Sequence, residues 1–452
     1  MPTGTAPRGG GITGTGGNVH GAGISGTAGA GRGPGLSGAG GGIRGAGGAG
    51  ATAGHGPVIY QKHTGETETA LAGGRREYRN PQTGHTVTTD ARGEIRHVEA
   101  PRGLAGKMVI NHGPGGGRIV ETGHPGARVV SYGPHRGFVE RPVRPGYISR
   151  TYVVGGRSYA HVYREHFYHG YRYYHYVPGV YYGPRFYGWA VTPWATPVHY
   201  VWFGMATPAP WFGFFAGYFT PYPLYASPDL WLTDYLLAEN LRLAYENQQV
   251  ANDGQAPPPS QTGQTAAPTL TPEMKALIAD EVRQQLAAEK AAAGQPASST
   301  SQGSDTEQSP AALQQRFFVV SSNLDVTAGG QACSLTPGDI IQRKSPAVAQ
   351  DGTVTVDVVT SKPGDCPADS STTIELAQLQ EMHNQFHEQI DSGLKMLADN
   401  QARGLPNGPA AAPRYVAEGT ADAAPDAESQ IASQETDAGK VEAQLKPGSG
   451  SW

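Results

Sequence analysis

The chain has 452 residues, of which 65 are glycine and 36 are proline, and these residues concentrate in segments that cannot bury a core. One globular domain spanning the whole length is therefore excluded. The net charge of −4 conceals an asymmetry, because residues 1–225 carry 21 basic and 9 acidic side chains while residues 226–452 carry 13 and 29. We expect these two parts to attract each other, within one chain or head to tail between copies.

Residues 1–57 are a glycine-rich segment that we predict to be disordered, because glycine loses more backbone entropy on ordering than any other residue. Its match to the dinucleotide-binding pattern GxGxxG has no strand before it and no helix after it, so we interpret it as a chance match. Arginines are sparse and aromatic residues are missing, so nucleic-acid binding is not expected. No secretory signal peptide is visible, since Met1 is followed by Pro-Thr-Gly and not by a basic patch and an apolar run.

Residues 58–146 contain short β-prone runs such as RIVETG and ARVVSYG, each near a glycine, and the glycines recur mostly 9 to 11 residues apart. This spacing predicts repeated strand–turn–strand units. Because several such units are needed before neighbours bury each other, we predict a β-meander or a short solenoid-like ribbon.

Residues 147–248 hold most of the aromatic side chains, with 18 of the 22 tyrosines and five of the six tryptophans. β-branched and aromatic runs with turns at Gly155–Gly156, His169–Gly170 and Pro178–Gly179 predict β-hairpins. We expect these rings to collapse into a nucleus on which a helix beginning at Pro228 docks, with Ser227 as its cap.

The stretch from Phe186 to Pro228 contains no Asp, Glu, Lys or Arg. Its recurring prolines exclude a simple transmembrane helix, so we predict a turn-rich aromatic slab, packed inside or presented to a partner. The candidate binding surface consists of Trp189, Trp194, Trp202, Trp211, Tyr218 and Tyr222. Exposed coplanar rings would favour sugar binding, whereas buried rings would favour a scaffold.

Two linkers, at 249–270 and 294–313, flank an amphipathic helix at 271–293. Thr271 is its predicted cap and Pro272 its first helical residue. We expect this helix to self-associate as a short coiled coil or to dock on another part of the chain.

Residues 314–401 read as four or five short strands and a helix over about Thr373 to Asn400, which favours a small SH3-like barrel or a comparable β-roll. The unit contains the only two cysteines, Cys333 and Cys366. A disulfide is the most economical interpretation and would imply an oxidising compartment, while two unpaired buried thiols are the alternative. Residues 402–452 read as an acidic disordered tail.

Histidines offer weak candidate metal ligands. His161, His169 and His175 share strand parity with Glu165, but the turn near Gly170 breaks the register between them. His383 and His387 lie four residues apart on the last helix. The zinc-protease pattern HExxH is missing there, because Asn384 follows His383. Ordinary polar positions are the default interpretation, so we predict no bound metal, no cofactor and no catalytic constellation.

The runs YVVGGRSYAHVYR, PRFYGWAVTPW and CSLTPGDII resemble a family of uncharacterised exported bacterial proteins, rich in glycine and tyrosine, with a C-terminal SH3-like-plus-helix unit. The resemblance covers roughly residues 140 to 400. It implies export to the periplasm, the outer surface or the extracellular space, and it implies no catalytic residue.

Together these features predict a mostly β fold with a few helices (α+β), an aromatic core and a large disordered fraction. We expect a non-enzymatic structural or interaction protein of the cell envelope or extracellular space, which binds another protein or itself. The alternative is a surface protein that binds glycan or peptidoglycan through exposed aromatic rings.

Overall fold

The structure, a computed structural model, describes residues 59–102, 106–113, 118–133, 135–198, 210–251, 270–294, 309–400 and 408–445. The predicted disordered segment 1–57, Trp202 and most of the two predicted linkers lie outside these described residues. The described residues combine strands and helices, so the predicted α+β class is confirmed in its coarse form.

The largest element is an antiparallel sheet of eleven strands, in which each strand pairs with the next one along the chain. The strands are β1 (Thr67–Ala70), β2 (Arg76–Arg79), β3 (Thr86–Thr89), β4 (Ile95–Pro101), β5 (Lys107–His112), β6 (Arg118–His124), β7 (Ala127–Gly133), β8 (Arg136–Arg144), β9 (Tyr147–Val154), β10 (Arg157–Tyr168) and β11 (Tyr171–Val177). The meander predicted for residues 58–146 and the predicted aromatic hairpins thus form one continuous sheet.

Register within this sheet follows the aliphatic side chains. Val98 lies opposite Ile110, which lies opposite Val120, and all three side chains are fully buried. A slip of one residue would turn this row to solvent, so the pairing is strongly specified.

Two of the three predicted hairpin turns are present, at Gly155–Gly156 and at His169–Gly170. The turn at Pro178–Gly179 is different, because the next strand, β12 (Val180–Tyr181), leaves the large sheet and pairs with β19 (Arg414–Tyr415). The prediction of a hairpin there is wrong, because its partner strand comes from the distant C-terminal segment.

The C-terminal β unit contains a four-stranded sheet in the order β13-β16-β17-β18 and a separate hairpin of β14 and β15. Its strands are β13 (Phe317–Val319), β14 (Leu324–Ala328), β15 (Gln331–Leu335), β16 (Ile340–Arg343), β17 (Thr353–Thr360) and β18 (Ser371–Glu375). Across residues 309–400, all of them described, these strands do not close into one hydrogen-bonded barrel. Cys333 and Cys366 form a disulfide, as predicted.

In the part of the chain that the structure describes, six α-helices accompany the sheets: α1 (Pro184–Ala190), α2 (Pro210–Phe214), α3 (Pro228–Ala251), α4 (Pro272–Ala293), α5 (Leu376–Asn400) and α6 (Ala427–Gln444). The start of α4 agrees with the prediction, since the Thr271 side chain accepts a hydrogen bond from the backbone N–H of Met274. Among the described residues no helix has the length and apolar character needed to span a membrane.

The main hydrophobic core surrounds α3, whose Trp231, Leu237 and Leu241 side chains are almost completely buried. α5 approaches α3 closely at Gly393, where a Cβ atom would lie 2.5 Å from Leu232 Cδ2. The helix of the C-terminal unit is therefore part of the central core and is not a separate module.

α4 docks on α3 instead of standing apart. Lys275 and Asp234 form an ion pair of 2.8 Å with both side chains buried, and Asp234 also accepts hydrogen bonds from the Tyr225 hydroxyl and the Tyr222 backbone N–H. These additional bonds offset the cost of burying two charges. Of the two interpretations of this helix, docking within the chain is the one that the structure supports.

The prediction that residues 402–452 are disordered is wrong for residues 408–445. α6 lies across one face of the large sheet, where Ala427 and Ile431 pack with Val139 and Val153. The helix also supplies acidic partners to the sheet: Arg118, which is buried, pairs with Glu435 and Glu442, more than 300 positions away in the chain. Charge complementarity orders a segment whose composition alone indicates disorder.

We predict that Glu435→Gln lowers the free energy of unfolding by about 2 to 3 kcal/mol. This is below the cost of a fully unpaired buried charge, because Glu442 still contacts Arg118. Chemical denaturation measures the change, and hydrogen exchange should show lower protection in α6. Glu428→Gln is the matched control on the same helix, since Glu428 forms an exposed pair with His135 and should cost less than about 1 kcal/mol. Equal effects of the two substitutions would contradict the role given to Arg118.

Candidate functional site: polar side chains between helix α5 and the sheet

One face of α5 carries the polar side chains that meet β9, β10 and β11. The residues are Glu381, Asn384, His387, Glu388 and Asp391, and their spacing of three or four positions places them along one side of the helix. With their partners on the sheet and on α4, they form the helix–sheet polar site.

Asn384 closes the outer edge of β11. Its side-chain amide donates to the backbone carbonyl of Tyr174 at 2.8 Å, and its carbonyl accepts from the backbone N–H of Tyr176 at 3.0 Å. The side chain thereby occupies the place of a neighbouring strand, which protects this edge from pairing with another chain. Asn384 is the residue that breaks the HExxH pattern, and its position explains why an amide suits this site.

Arg150 is fully buried at the start of the site and pairs with two carboxylates. Its Nε donates to Glu140 at 2.9 Å and its Nη2 donates to Glu381 of α5 at 3.0 Å. The guanidinium also lies over the Tyr163 ring, 4.1 Å from the centroid. Burial alone would raise the pKa of Glu140, but the charges of Arg150 and Arg128 outweigh it and hold this pKa below its ordinary value.

Glu388 is a buried carboxylate of α5 and lies about two turns beyond Glu381. It contacts His161 Nδ1 at 2.9 Å and accepts a hydrogen bond from the Tyr163 hydroxyl. The Tyr152 hydroxyl continues the chain at 2.9 Å from that of Tyr163. Burial raises the pKa of Tyr163 well above its ordinary value, and the neighbouring Glu388 charge adds to the increase, so the hydroxyl keeps its proton.

Glu289, His387 and Asp391 form a separate group between α4 and α5. His387 Nε2 lies 2.9 Å from Glu289 Oε1, and one ligand-type atom from each of the three side chains lies within 4.8 Å of the others. Asp391 accepts a hydrogen bond of 2.9 Å from the Tyr176 hydroxyl. Burial, and next the charge of Glu289, raise the pKa of Asp391 to about 7.

The remaining histidines of the site are neutral. His383 Nδ1 lies 2.7 Å from Gln315 Oε1, and its ring stacks on that of His175 at 6.0 Å. Burial, followed by the neighbouring imidazoles, lowers the pKa of His175 to about 3 and that of His383 well below its ordinary value. These two rings therefore stay uncharged at neutral pH.

Two cavities of about 280 Å³ each border the site. The first is lined by side chains of α4 and α5, including Glu289 and His387. The second is lined by His161, Tyr176 and Asp391. The group of Glu289, His387 and Asp391 thus lies between two volumes large enough for water or a small ligand.

The structure separates the histidines that the sequence placed together. His161 faces Glu388, but His175 lies on the opposite face with His166, because the register of β10 and β11 pairs Arg164 with His175. His169 lies in the hairpin turn with φ of 48°. The shared parity of His161, His169 and His175 therefore does not bring them together. The two-residue turn reverses the parity between the strands, so the predicted break of register near Gly170 is confirmed. His383 and His387 remain adjacent, with ring centroids 6.4 Å apart, but face different partners.

The candidate aromatic surface is mostly interior. Trp194, Trp211 and Tyr218 are buried, with 7, 5 and 3% of their surface exposed, while Trp189 and Tyr222 are half-buried. Sugar stacking on the three buried rings is excluded in this fold, because their faces pack within the main core. The expected aromatic nucleus forms, and these rings are part of it.

Sequence reasoning missed Glu289, Glu388 and Asp391. The spacing of His383, His387 and Asp391 at every fourth position of one helix was a usable signal for Asp391. Glu289 had no such signal, because its role depends on the docking of α4. Comparisons with protein-family models, with curated proteins and with solved structures find no match for this chain.

We predict that Glu140→Gln lowers the free energy of unfolding by about 3 kcal/mol, since it leaves Arg150 and Arg128 with one carboxylate fewer in a buried position. Urea denaturation at neutral pH measures the loss. Glu121→Gln is the control, because Glu121 also pairs with Arg128 but is one-third exposed. Glu121→Gln should lower the free energy of unfolding by less than about 1 kcal/mol.

Glu140 also sets a pH dependence. Its pKa is lower in the folded state than in the unfolded chain, so its contribution is complete above the unfolded value of about 4.3 and is lost as the pH falls below it. We expect the unfolding free energy of the unaltered chain to fall more steeply between pH 5 and pH 3 than that of Glu140→Gln. Parallel curves for the two proteins would contradict this assignment.

Proposed function

We propose that the protein is a non-enzymatic structural or interaction protein of the cell envelope or the extracellular space, which binds another protein or a second copy of itself. The observation that carries this proposal is the use of its charged and aromatic side chains. Arg118, Arg150 and Glu388 join helices to the sheet, and the described tryptophans pack in or against the main core. Such an arrangement supports a rigid scaffold.

The proposed location rests on two observations. The Cys333–Cys366 disulfide is typical of oxidising compartments, such as the periplasm or the extracellular space. The resemblance of residues 140 to 400 to exported bacterial proteins points the same way, and membership of that family is part of this proposal.

A protein partner is favoured over a glycan because the buried rings of Trp194, Trp211 and Tyr218 offer no planar surface. Large apolar side chains remain exposed elsewhere, and the most exposed of the described aromatic ones are Tyr415 with 74% and Phe167 with 52% of its surface accessible. Tyr415 lies in β19 and Phe167 lies close to the turn between β10 and β11. These positions are open to apolar contact with a partner.

The proposed location predicts that both cysteines resist a thiol-reactive polymer in intact cells and in lysates until a reductant is added. After reduction, the chain should gain the mass of two labels, and a Cys333→Ser/Cys366→Ser chain should gain none. The added mass is measured by gel mobility, separately in the envelope and cytoplasmic fractions. Labelling without reductant, in a chain found in the cytoplasmic fraction, would contradict the proposal.

The proposed partner is tested by placing a photo-crosslinking residue at Phe167 or at Tyr415 in the full chain. Lys440 on α6, with an exposed side chain, is the control position. We expect an adduct of defined mass from at least one apolar position and none from Lys440. Identical diffuse labelling from all three positions would overturn the proposed binding, and an adduct released by a cell-wall hydrolase would favour the glycan alternative.

A further inference from the structure

The group of Glu289, His387 and Asp391 has the geometry of a metal site. α5 supplies His387 and Asp391 one turn apart, and α4 supplies Glu289 from the facing helix. Their ligand-type atoms lie within 4.8 Å of one another. Two atoms bound to the same zinc-sized ion are at most about 4.4 Å apart, so small side-chain rotations bring all three atoms to one ion.

Three atoms of this group make no hydrogen bond to the described residues. They are Glu289 Oε2 and the two ring nitrogens of His387, of which Nε2 lies at ion-pair distance from Glu289 Oε1. The two residues expose only 3 and 5% of their surface. A buried carboxylate oxygen without a partner is costly. A bound cation would remove that cost at Glu289.

The electrostatic environment also favours a cation. Within the described part of the chain, neither Glu289 nor Asp391 has a lysine or an arginine at ion-pair distance, and His387 is the only basic side chain that contacts Glu289. Glu140 differs, because Arg128 and Arg150 both contact it. When Asp391 is ionised, the two carboxylates outnumber the single imidazole, and a divalent ion would balance the remaining negative charge.

The surroundings supply hydrogen bonds that orient the ligands. The Tyr176 hydroxyl donates to Asp391 Oδ2, and the Gln285 side chain donates to Glu289 Oε1 at 3.1 Å. Outer hydrogen bonds of this kind fix ligating carboxylates in metal proteins. The adjoining cavity, lined in part by Tyr181 and Gln284, leaves room for water or a small anion at a further coordination position.

We propose that Glu289, His387 and Asp391 bind one divalent transition-metal ion, with Zn²⁺ as the best match. An imidazole nitrogen with two carboxylate oxygens suits zinc better than Mg²⁺ or Ca²⁺, which prefer oxygen ligands only. The ion would join α4 to α5 and stabilise the contact between them. This differs from a site built on His383 and His387, because His383 contacts Gln315 and His175 instead.

The test uses the full chain, without a polyhistidine tag and stripped of metal. Zn²⁺ is titrated by calorimetry and its effect on thermal unfolding is recorded, with Mg²⁺ and Ca²⁺ as comparisons. We expect one tight zinc equivalent and a rise in the unfolding temperature, with little effect of the other two ions. Asp391→Asn and Glu289→Gln should each weaken the tight site by more than the tenfold to roughly hundredfold loss typical of an outer-shell change.

His383→Gln is the matched control, because it removes a buried imidazole from the same helix without touching the three proposed ligands. It should retain tight zinc binding. Asp391→Asn removes a like charge from Glu289, so its metal-free unfolding temperature should not fall, and loss of the zinc-induced rise then reports the ligand alone. If that variant does not fold, Glu289→Gln gives the same readout.

The proposal is overturned if zinc binding is the same in the unaltered chain and in Asp391→Asn, which would indicate adventitious binding at other histidines. An equal loss of zinc affinity in His383→Gln would instead assign the site to His383 and His387. If the unaltered chain binds no zinc equivalent tightly, the proposed site is rejected altogether. None of these outcomes bears on the proposed scaffold function, which the labelling and crosslinking experiments test independently.

Discussion

Buried arginines of the large sheet pair with carboxylates from the acidic C-terminal half of the chain. Arg118 and Arg150 expose almost none of their side chains, and an unpaired guanidinium in such a position would be strongly destabilising. α6 brings Glu435 to the first, and α5 brings Glu381 to the second. The charge asymmetry of the sequence is thus largely resolved inside one molecule, by contacts between segments far apart in the chain.

The same need to pair buried charges explains the row of polar side chains along α5. A helix that lies against both the edge and a face of a sheet must satisfy exposed backbone groups and buried charges together. Asn384 satisfies the backbone of β11, while Glu381 and Glu388 meet charged and hydroxyl groups of β9 and β10. Among the described residues, Glu289 and Asp391 have no lysine or arginine at ion-pair distance, whereas Glu140 and Glu381 pair with arginine. This contrast distinguishes the proposed metal site from its neighbours.

The features that the sequence predicts best are those set by residues close together in the chain. Thr271 and the prolines at the starts of α3 and α4 define helix beginnings through contacts within one turn. Glycine spacing predicts the meander, because each strand pairs with the next. The burial of aromatic rings also follows from their apolar area. In contrast, α6 has a composition typical of disorder, and its order depends on Arg118, more than 300 positions away.

The candidate site was harder to predict for the same reason. His383 and His387 are visible as a pair in the sequence, but their partners, Gln315 and Glu289, come from other elements. The parity of His161 and His175 depended on the length of one turn. Helix spacing alone identifies a face, and only the docking of α4 and of the sheet shows which residues meet there.

Buried charge pairs hold the two halves of the chain together, and a double-mutant cycle between Arg118 and Glu435 measures how strongly one such pair does so. Arg118→Met, Glu435→Leu and the double variant are compared by chemical denaturation. We expect a coupling free energy of about 2 kcal/mol or more, with the double variant more stable than Glu435→Leu alone. Additive effects, within about 0.5 kcal/mol, would contradict it.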